Sequence, residues 1–582
     1  MRKLFGYMFS YRKTMAVVIV ILLVQAYTDL ALPTYTSNIV DIGIVQGDMP
    51  FILRTGLTMV ILAFVGMTAS ISVGYLAARV GASVGRNLRE RVFQKVVGFS
   101  NNEFDHFSTA SLITRSTNDI QQIQMILGMM VRMLIYSPIL AVGAIFNVVN
   151  TNMAMAWIII LAIGLVVMVM VILFKLGMPK FRIMQKLVDN INLVMREILT
   201  GLPVIRAFHT EKYEAERFDE ANQDLMKVSL FVNRVMVFMW PLMFLIMNGI
   251  AVLIIWVGAH NITDGRMQVG DLMAFIQYAM QVIFSVLMVC IIMIMIPRAS
   301  VAAARVEEVL NSQTSIYDPD KPRHFEHPIN GVVEFQEVSF QYPKAEEKVL
   351  KNISFVAKPG ETTAFIGSTG SGKSTLINLI PRFYDVTEGS ITIDGVDIRH
   401  VSQEELREHM GYVPQKGVLF SGDIASNILY GNEEGTDAMM EEAARIAQAE
   451  AFILEKKDNY KNHISQGGSN VSGGQKQRLS IARAIAKNPA IYIFDDSFSA
   501  LDYKTDVALR QALKEKTADC TVLIVAQRIN TILHAEQIVV LDEGEIVGIG
   551  THRQLLESCE VYQQIASSQL SEEELSGSLE RK

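Results

Sequence analysis

"ETTAFIGSTGSGKSTLINLI", residues 361–380, decides the fold of at least half of this chain. Apolar residues run to Ile366 as in a buried strand, Gly367 to Ser374 matches G-x-x-x-x-G-K-[ST], and a helical apolar pattern follows. The chemistry that needs this order is a phosphate cradle. Glycines let the backbone N–H groups of Gly367, Ser368, Thr369, Gly370, Ser371 and Gly372 close around phosphate oxygens, and the start of the helix favours their charge. Lys373 is placed to reach the terminal phosphates and Ser374 to ligate Mg²⁺, with Thr375 a lesser candidate for the α-phosphate. The prediction is an α/β P-loop domain.

Three further stretches carry chemistry. In "IYIFDDSFSALD", residues 491–502, four apolar residues deliver Asp495 as a metal-binding carboxylate at the edge of a nucleotide site. A hydrolytic site wants a Glu next, long enough to reach the attacking water; the chain has Asp496. In "GYVPQKGVLFSGDI", Gln415 follows a strand, where its amide would touch both Mg²⁺ and water. In "NVSGGQKQRLSIARA", Ser472, Gly473, Gly474 and Gln475 open a helix whose free N–H groups suit an anion. A plain Gly-rich helix start is the simpler account, but it leaves unexplained a second phosphate cradle in a domain with one P-loop.

At 582 residues the chain exceeds what one core supports, and its composition is divided. All three Trp and 28 of the 31 Met precede residue 311, together with the long apolar runs. Six of those runs, at 15–36, 52–78, 127–150, 154–177, 232–260 and 270–296, are long enough for a hydrocarbon core of roughly 30 Å. Lys and Arg gather beside the start and the long even-numbered loops (Arg2, Lys3, Arg12, Lys13; Arg86, Arg89, Arg91, Lys95; Lys180, Arg182, Lys186), so the N-terminus and the P-loop domain are expected in the cytoplasm of a multi-pass cell-membrane protein. The first span reads as a signal anchor, and about fourteen residues before it leave no room for a peptidase domain, against a processing peptide exporter. The loops at 79–126 and 178–231 keep helical periodicity, each with one short break, as self-packed hairpins or as levers whose tips dock on the soluble domain. Asp29 and Arg132 fall within or near spans, as an ion pair or as part of a substrate site. The Met-rich runs are helix packing or an adaptable binding wall. Cys290, Cys520 and Cys559 fit neither a disulfide framework nor a zinc site, and a net charge of −7 gives no sign of nucleic-acid binding.

The P-loop at 367–374, Gln415, "VSGGQ" at 471–475, the strand ending at Asp495 and "SALD" at 499–502 together resemble the nucleotide-binding domain of ATP-binding cassette (ABC) transporters. Six spans before that domain, with "EFDHFSTASLITRSTNDI" and "REILTGLPVIRAF" in the long loops, resemble an ABC exporter half-transporter over nearly the whole chain. The resemblance implies a helical membrane domain at 1–312, a linker at 313–330, an ATP-binding domain at 331–567 and a polar tail at 568–582. It implies ATP and Mg²⁺ sandwiched between two such domains, each P-loop facing the other's SGGQ. It also implies that Tyr342 stacks on adenine and that the lever tips are coupling helices, the second held by the partner subunit.

The family pattern places Glu after the Walker B Asp, and a His about thirty residues on that contacts the γ-phosphate. Here those positions hold Asp496 and Gln527, and Gln466 stands where many exporters have Glu. Asp is a methylene short, and Gln carries no charge. The binding positions remain complete. The expectation is one half of a heterodimeric multidrug-type exporter, with a degenerate ATP site at its own P-loop and a VSGGQ that completes the partner's site. A slow homodimer and an ATP-gated channel or sensor are the alternatives, and the small-molecule or lipid cargo is unspecified, as is import by a few family members.

Overall fold

The computed structural model describes residues 6–570 other than 8, 344 and 433. Arg2 and Lys3, and 571–582 of the expected polar tail, lie outside the described residues. Contacts divide the chain into two compact units, Met1–Val97 with Thr109–Ser312, and Gly98–Ser108 with Gln313–Lys582.

Among the described residues, the first unit has six helices long and apolar enough to cross a membrane: α1 (Arg12–Ile44), α2 (Met49–Val97), and, after the short α3 (Asn101–Phe107) of the second unit, α4 (Thr109–Thr151), α5 (Met153–Phe208), α6 (Glu211–Thr263) and α7 (Val269–Asn311). Each expected apolar run lies inside one of them, and most of the two long loops continues the same helices. The second loop breaks once, at His209 (φ 53°); the first breaks twice, at 98–100 and at Ser108 (φ 53°), with α3 between the breaks. Small residues set the closest approaches. A Cβ at Gly81 would meet the Gln124 carbonyl at 2.9 Å, so α2 and α4 pack nearly backbone to backbone there. Elsewhere the core is apolar, with Phe275, Tyr278 and Val282 of α7 packed among Ile158, Ala162 and Val166 of α5 and Ile254 of α6. Asp29 and Arg132 do not pair: Tyr136 donates to the Asp29 carboxylate, while Arg132 donates to the Ser70 carbonyl at 3.2 Å. Tyr136 reaches Asp29 first, and the side chain one turn earlier on the same helix faces α2.

The second unit is α/β. Its strands are β1 (Val333–Phe340), β2 (Leu350–Ala357), β3 (Thr362–Gly367), β4 (Glu388–Ile393), β5 (Val396–Asp397), β6 (Met410–Val413), β7 (Gly422–Asp423), β8 (His463–Ile464), β9 (Ile491–Asp495), β10 (Thr521–Val525), β11 (Gln537–Asp542) and β12 (Glu545–Gly550). The main sheet runs β12-β11-β3-β10-β9-β6, parallel except for β12, beside an antiparallel sheet β2-β1-β4-β5 and the short pair β7-β8. Continuous apolar runs make β3, β9, β10 and β11 because both faces of these central strands are covered. Along β9, Tyr492 and Phe494 enter one core while Ile491 and Ile493 enter the other; along β10, Val522 and Ile524 alternate with Leu523 and Val525 in the same way.

The segment 98–108 belongs to this unit although membrane helices flank it in sequence. Ser100 caps α3, its backbone N–H and hydroxyl donating to Glu103 Oε2 at 2.9 and 2.6 Å. Glu103 Oε1 accepts from the Ser315 backbone N–H at 3.1 Å, and Tyr384 donates to Asp105 at 3.4 Å. Phe99 stacks on Phe107 at 5.7 Å and meets Phe104 edge-on at 6.1 Å.

Candidate nucleotide site

Register assembles the site. Phe365, Val525 and Asp495 lie side by side on β3, β10 and β9, and Val413 of β6 pairs with Phe494. The loops that follow these strands therefore leave from one carboxyl edge, where open parallel sheets bind ligands. They carry Gly367 to Ser374, Gln527, Asp496 and Gln415.

The P-loop folds as its glycines permit. Gly370 and Gly372 have φ 88° and 98°. A Cβ at Gly372 would lie 2.7 Å from Leu350 Cδ2, and one at Gly367 would lie 2.0 Å from the Leu541 carbonyl oxygen. Gly372 leads into α8 (Lys373–Leu379), two residues earlier than a helix starting after Ser374. Lys373 turns back over the loop, donating to the carbonyls of Gly367 (3.0 Å) and Ser368 (2.6 Å) and to Ser371 Oγ (3.2 Å). Burial pushes its pKa below the usual lysine value, and the charges of Asp496 and Asp495 oppose that shift. Ser368 also donates to Asp542 at 3.4 Å.

Ser374 donates to Asp495 Oδ1 at 2.9 Å, so two of the three expected metal ligands touch, while the third, Gln415, donates to Asp496. Burial raises the Asp495 pKa, and the neighbouring Asp496 charge adds to the rise. A hydroxyl and a carboxylate are hard oxygen donors of the kind Mg²⁺ takes one or two at a time, and a cation there would relieve the buried charge.

Asp496, with φ 45°, has one oxygen engaged twice: Oδ2 accepts from Gln527 Nε2 at 2.9 Å and from Gln415 Nε2 at 3.3 Å. All three candidates thus meet in one cluster. Sequence reading missed what holds it. Gln569, at the end of α10 (Glu560–Gln569), accepts from the Ile529 backbone N–H and donates to the Gln527 carbonyl, both at 2.9 Å. An amide 42 residues away leaves no local pattern.

Tyr342 is half-buried, edge-on to Phe340 and Tyr384 at 4.9 and 5.3 Å, and its hydroxyl shares a hydrogen bond of 3.0 Å with Thr375 Oγ1. That bond ties an expected adenine-stacking ring to the helix after the P-loop. Ser472 caps α9 (Gly473–Lys487): its backbone N–H donates to Gln475 Oε1 at 3.1 Å and its hydroxyl accepts from the Gln475 N–H at 3.3 Å. A Cβ at Gly474 would come within 3.2 Å of the Ala500 carbonyl, while Gly473 has open space around it. These hydrogen bonds stay within the helix start, and none joins Ser472–Gln475 to the P-loop cluster among the described residues. Gln466 is exposed in a short 3₁₀ turn, Gln466–Gly468.

The ABC transporter transmembrane region matches residues 15–286, and the ABC transporter family matches residues 350–499. An uncharacterized ABC transporter ATP-binding protein of Mycobacterium tuberculosis is 41% identical over 562 residues, 96% of each chain. YfiB of Bacillus subtilis, also an uncharacterized ABC transporter ATP-binding protein, is 36% identical over 573 residues, 98% of this chain and 99% of that one. An ATP-dependent lipid A-core flippase of Desulfotalea psychrophila is 31% identical over 572 residues, 98% and 99% of the two chains. The solved structure of a bacterial Atm1-family ABC exporter with ATP bound is similar with a TM-score of 0.79 at 26% identity, over 96% of this chain and 99% of that one.

Proposed function

Because this chain belongs to the ABC transporter family, with the membrane and ATP-binding parts of an exporter in one polypeptide, we propose that it is one half of a heterodimeric exporter whose own P-loop forms a slow, ATP-holding site. In this reading residues 1–312 are the membrane domain, 313–330 the linker and 331–567 the ATP-binding domain, with the latter cytoplasmic. ATP supplies the driving energy, and Mg²⁺ at Ser374 and Asp495, with Gln415 nearby, neutralises phosphate charge. Lys373 leaves its loop carbonyls for the terminal phosphates, the N–H groups of 367–374 hold the rest, and Tyr342 supports adenine.

The observation that carries the reading is the state of Asp496. The family pattern has Glu and His where this chain has Asp496 and Gln527, and here both Gln527 and Gln415 donate to the same Asp496 oxygen. Asp496 is short of the water and held by two amides. Ser472 to Gln475, by contrast, form a complete helix-start cradle, which the reading assigns to the partner's competent site.

The experiment compares Lys373→Ala with Ser472→Ala in the assembled transporter. The heterodimer reading expects Ser472→Ala to abolish most ATPase and Lys373→Ala to lower nucleotide occupancy at this site with a smaller loss of turnover. A Lys373→Ala change as damaging to hydrolysis as Ser472→Ala, together with slow but complete turnover by this chain purified alone, favours the slow homodimer instead; high turnover by the single chain overturns the slow-site reading altogether. The 31%-identical flippase acts on lipid A-core; a lipid or lipophilic small molecule is the cargo class proposed here.

A further inference from the structure

Among the described residues, three stretches of the first unit's helices wind with π pitch, Ile39–Ile44, Arg115–Asp119 and Val131–Tyr136. Such turns inside α-helices occur often at functional sites. The third ends at Tyr136, whose hydroxyl donates to Asp29 Oδ2 midway along α1. Asp29 is thus a carboxylate inside an apolar helix with a neutral donor and no cation. Arg132, one turn before Tyr136, reaches the Ser70 carbonyl and packs against the Gly74 position instead.

A third helix closes the arrangement. Gln281 of α7 donates from Nε2 to the Asp29 backbone carbonyl at 3.0 Å, and its Oε1 is buried without a hydrogen-bond partner. Asp29 Oδ1 lies beside Gly66 of α2, and the single hydrogen bond to this carboxylate among the described residues goes to the other oxygen. The cluster therefore offers acceptors in excess: a carboxylate oxygen and a buried amide oxygen, each with no donor among the described residues, and no ion-pair partner for Asp29 among them. Such groups are costly within a membrane span unless a partner supplies charge and donors.

We propose that Asp29 and Gln281 form a recognition site for a protonated primary or secondary amine on a lipophilic substrate. A single ammonium group satisfies every deficit at once, with one positive charge and two or three N–H donors. Asp29 binds the charge through its free oxygen and Gln281 Oε1 takes a second N–H, while Tyr136 stays on the other carboxylate oxygen as a neutral neighbour that the amine does not need. The proposal is independent of which ATP site hydrolyses.

The test uses dansylcadaverine, a protonated primary amine, and its N-acetyl derivative, which is neutral but otherwise the same. Binding of each is measured by fluorescence to the full-length assembled transporter in nanodiscs. The native protein should prefer the amine by about tenfold or more, the scale of one charge-assisted hydrogen bond. Asp29→Asn should erase that preference by weakening the amine, and Gln281→Leu should reduce it in part. Tyr136→Phe removes the neutral donor, leaves the carboxylate, and should keep the preference; it serves if Asp29→Asn does not fold. No preference in the native protein, an unchanged preference in Asp29→Asn, or its loss in Tyr136→Phe with Asp29 intact overturns the proposal.

Discussion

Replacing Asp496 by Glu together with Gln527 by His tests the site where this chain departs from its family. In the native structure two amides hold one Asp496 oxygen, at 2.9 and 3.3 Å. Hydrogen bonds to a charged group contribute about 1.5–3 kcal/mol each, so turning the carboxylate toward a water costs about 3 kcal/mol even at the lower end. That is a factor of about 150 in rate. The missing methylene adds a misplacement of about 1 Å, itself worth about a hundredfold. Asp496→Glu alone restores reach but leaves Gln527 donating to the new carboxylate, so a gain of about tenfold or less is expected. Gln527→His alone removes one of the two amides and leaves Gln415 on a carboxylate that is still short, so its gain should be similarly small. The double change should raise hydrolysis at this site by about a hundredfold, more than the product of the singles, because both side chains act on one γ-phosphate. In the heterodimer proposed above, phosphate release is measured from the reconstituted complex with the competent site of the second subunit disabled. A double variant within twofold of the native rate, or singles that simply multiply, refutes the claim that these two positions limit the site. Transport per ATP should fall in the double variant if this site keeps the two ATP-binding domains together between cycles.

Gly372→Ala should lower the melting temperature of the ATP-binding domain by about 3–8 °C and weaken nucleotide binding, since φ 98° and Leu350 both oppose a Cβ there; differential scanning fluorimetry with and without ATP reads both effects. Ser374→Ala should leave nucleotide affinity in EDTA almost unchanged while removing most of the added affinity in Mg²⁺, and an equal loss in both would detach Ser374 from the metal. Burial lowers the Lys373 pKa, so the folded domain binds fewer protons than the unfolded chain between that lowered value and the ordinary one, and stability should rise with pH through that window. Lys373→Met should flatten the rise in thermal denaturation midpoints measured across alkaline pH; parallel curves would contradict it. Gln569→Ala should speed amide hydrogen exchange at Ile529 by about five- to tenfold, the loss of a bond worth about 1 kcal/mol, and unchanged exchange would show that Gln569 does not brace the Gln527 loop.

Much of this architecture is legible in sequence because the signals are local. Six apolar runs contain their own length, and the P-loop, Asp495 and the Gly-rich helix start each compress a strand, turn and cap into a few residues. The unequal pair Asp496 and Gln527 is visible too, since each sits at a fixed offset from a strand. What escapes is every contact made across the fold. That Gln415 and Gln527 choose the same oxygen of Asp496 depends on the register of β6, β9 and β10, and Gln569 reaches the same loop from another helix. The partner of Asp29 is hidden for the same reason: Arg132 offers the better charge, but a π turn presents Tyr136 instead.

The place of α3 in the second unit has a consequence for the order of synthesis. Glu103 is separated from its partner Ser315 by 212 residues, and Asp105 from Tyr384 by 279. At about 5–20 residues per second, α3 leaves the ribosome some 15–55 s before Tyr384 exists. Throughout that interval the helix depends on what lies beside it in the chain: the Ser100–Glu103 cap and the stack of Phe99 on Phe107, both closed within a few residues. The soluble domain made from residue 313 onward lacks this piece altogether, and emerges with Tyr384 and the Ser315 backbone missing partners that were translated long before them.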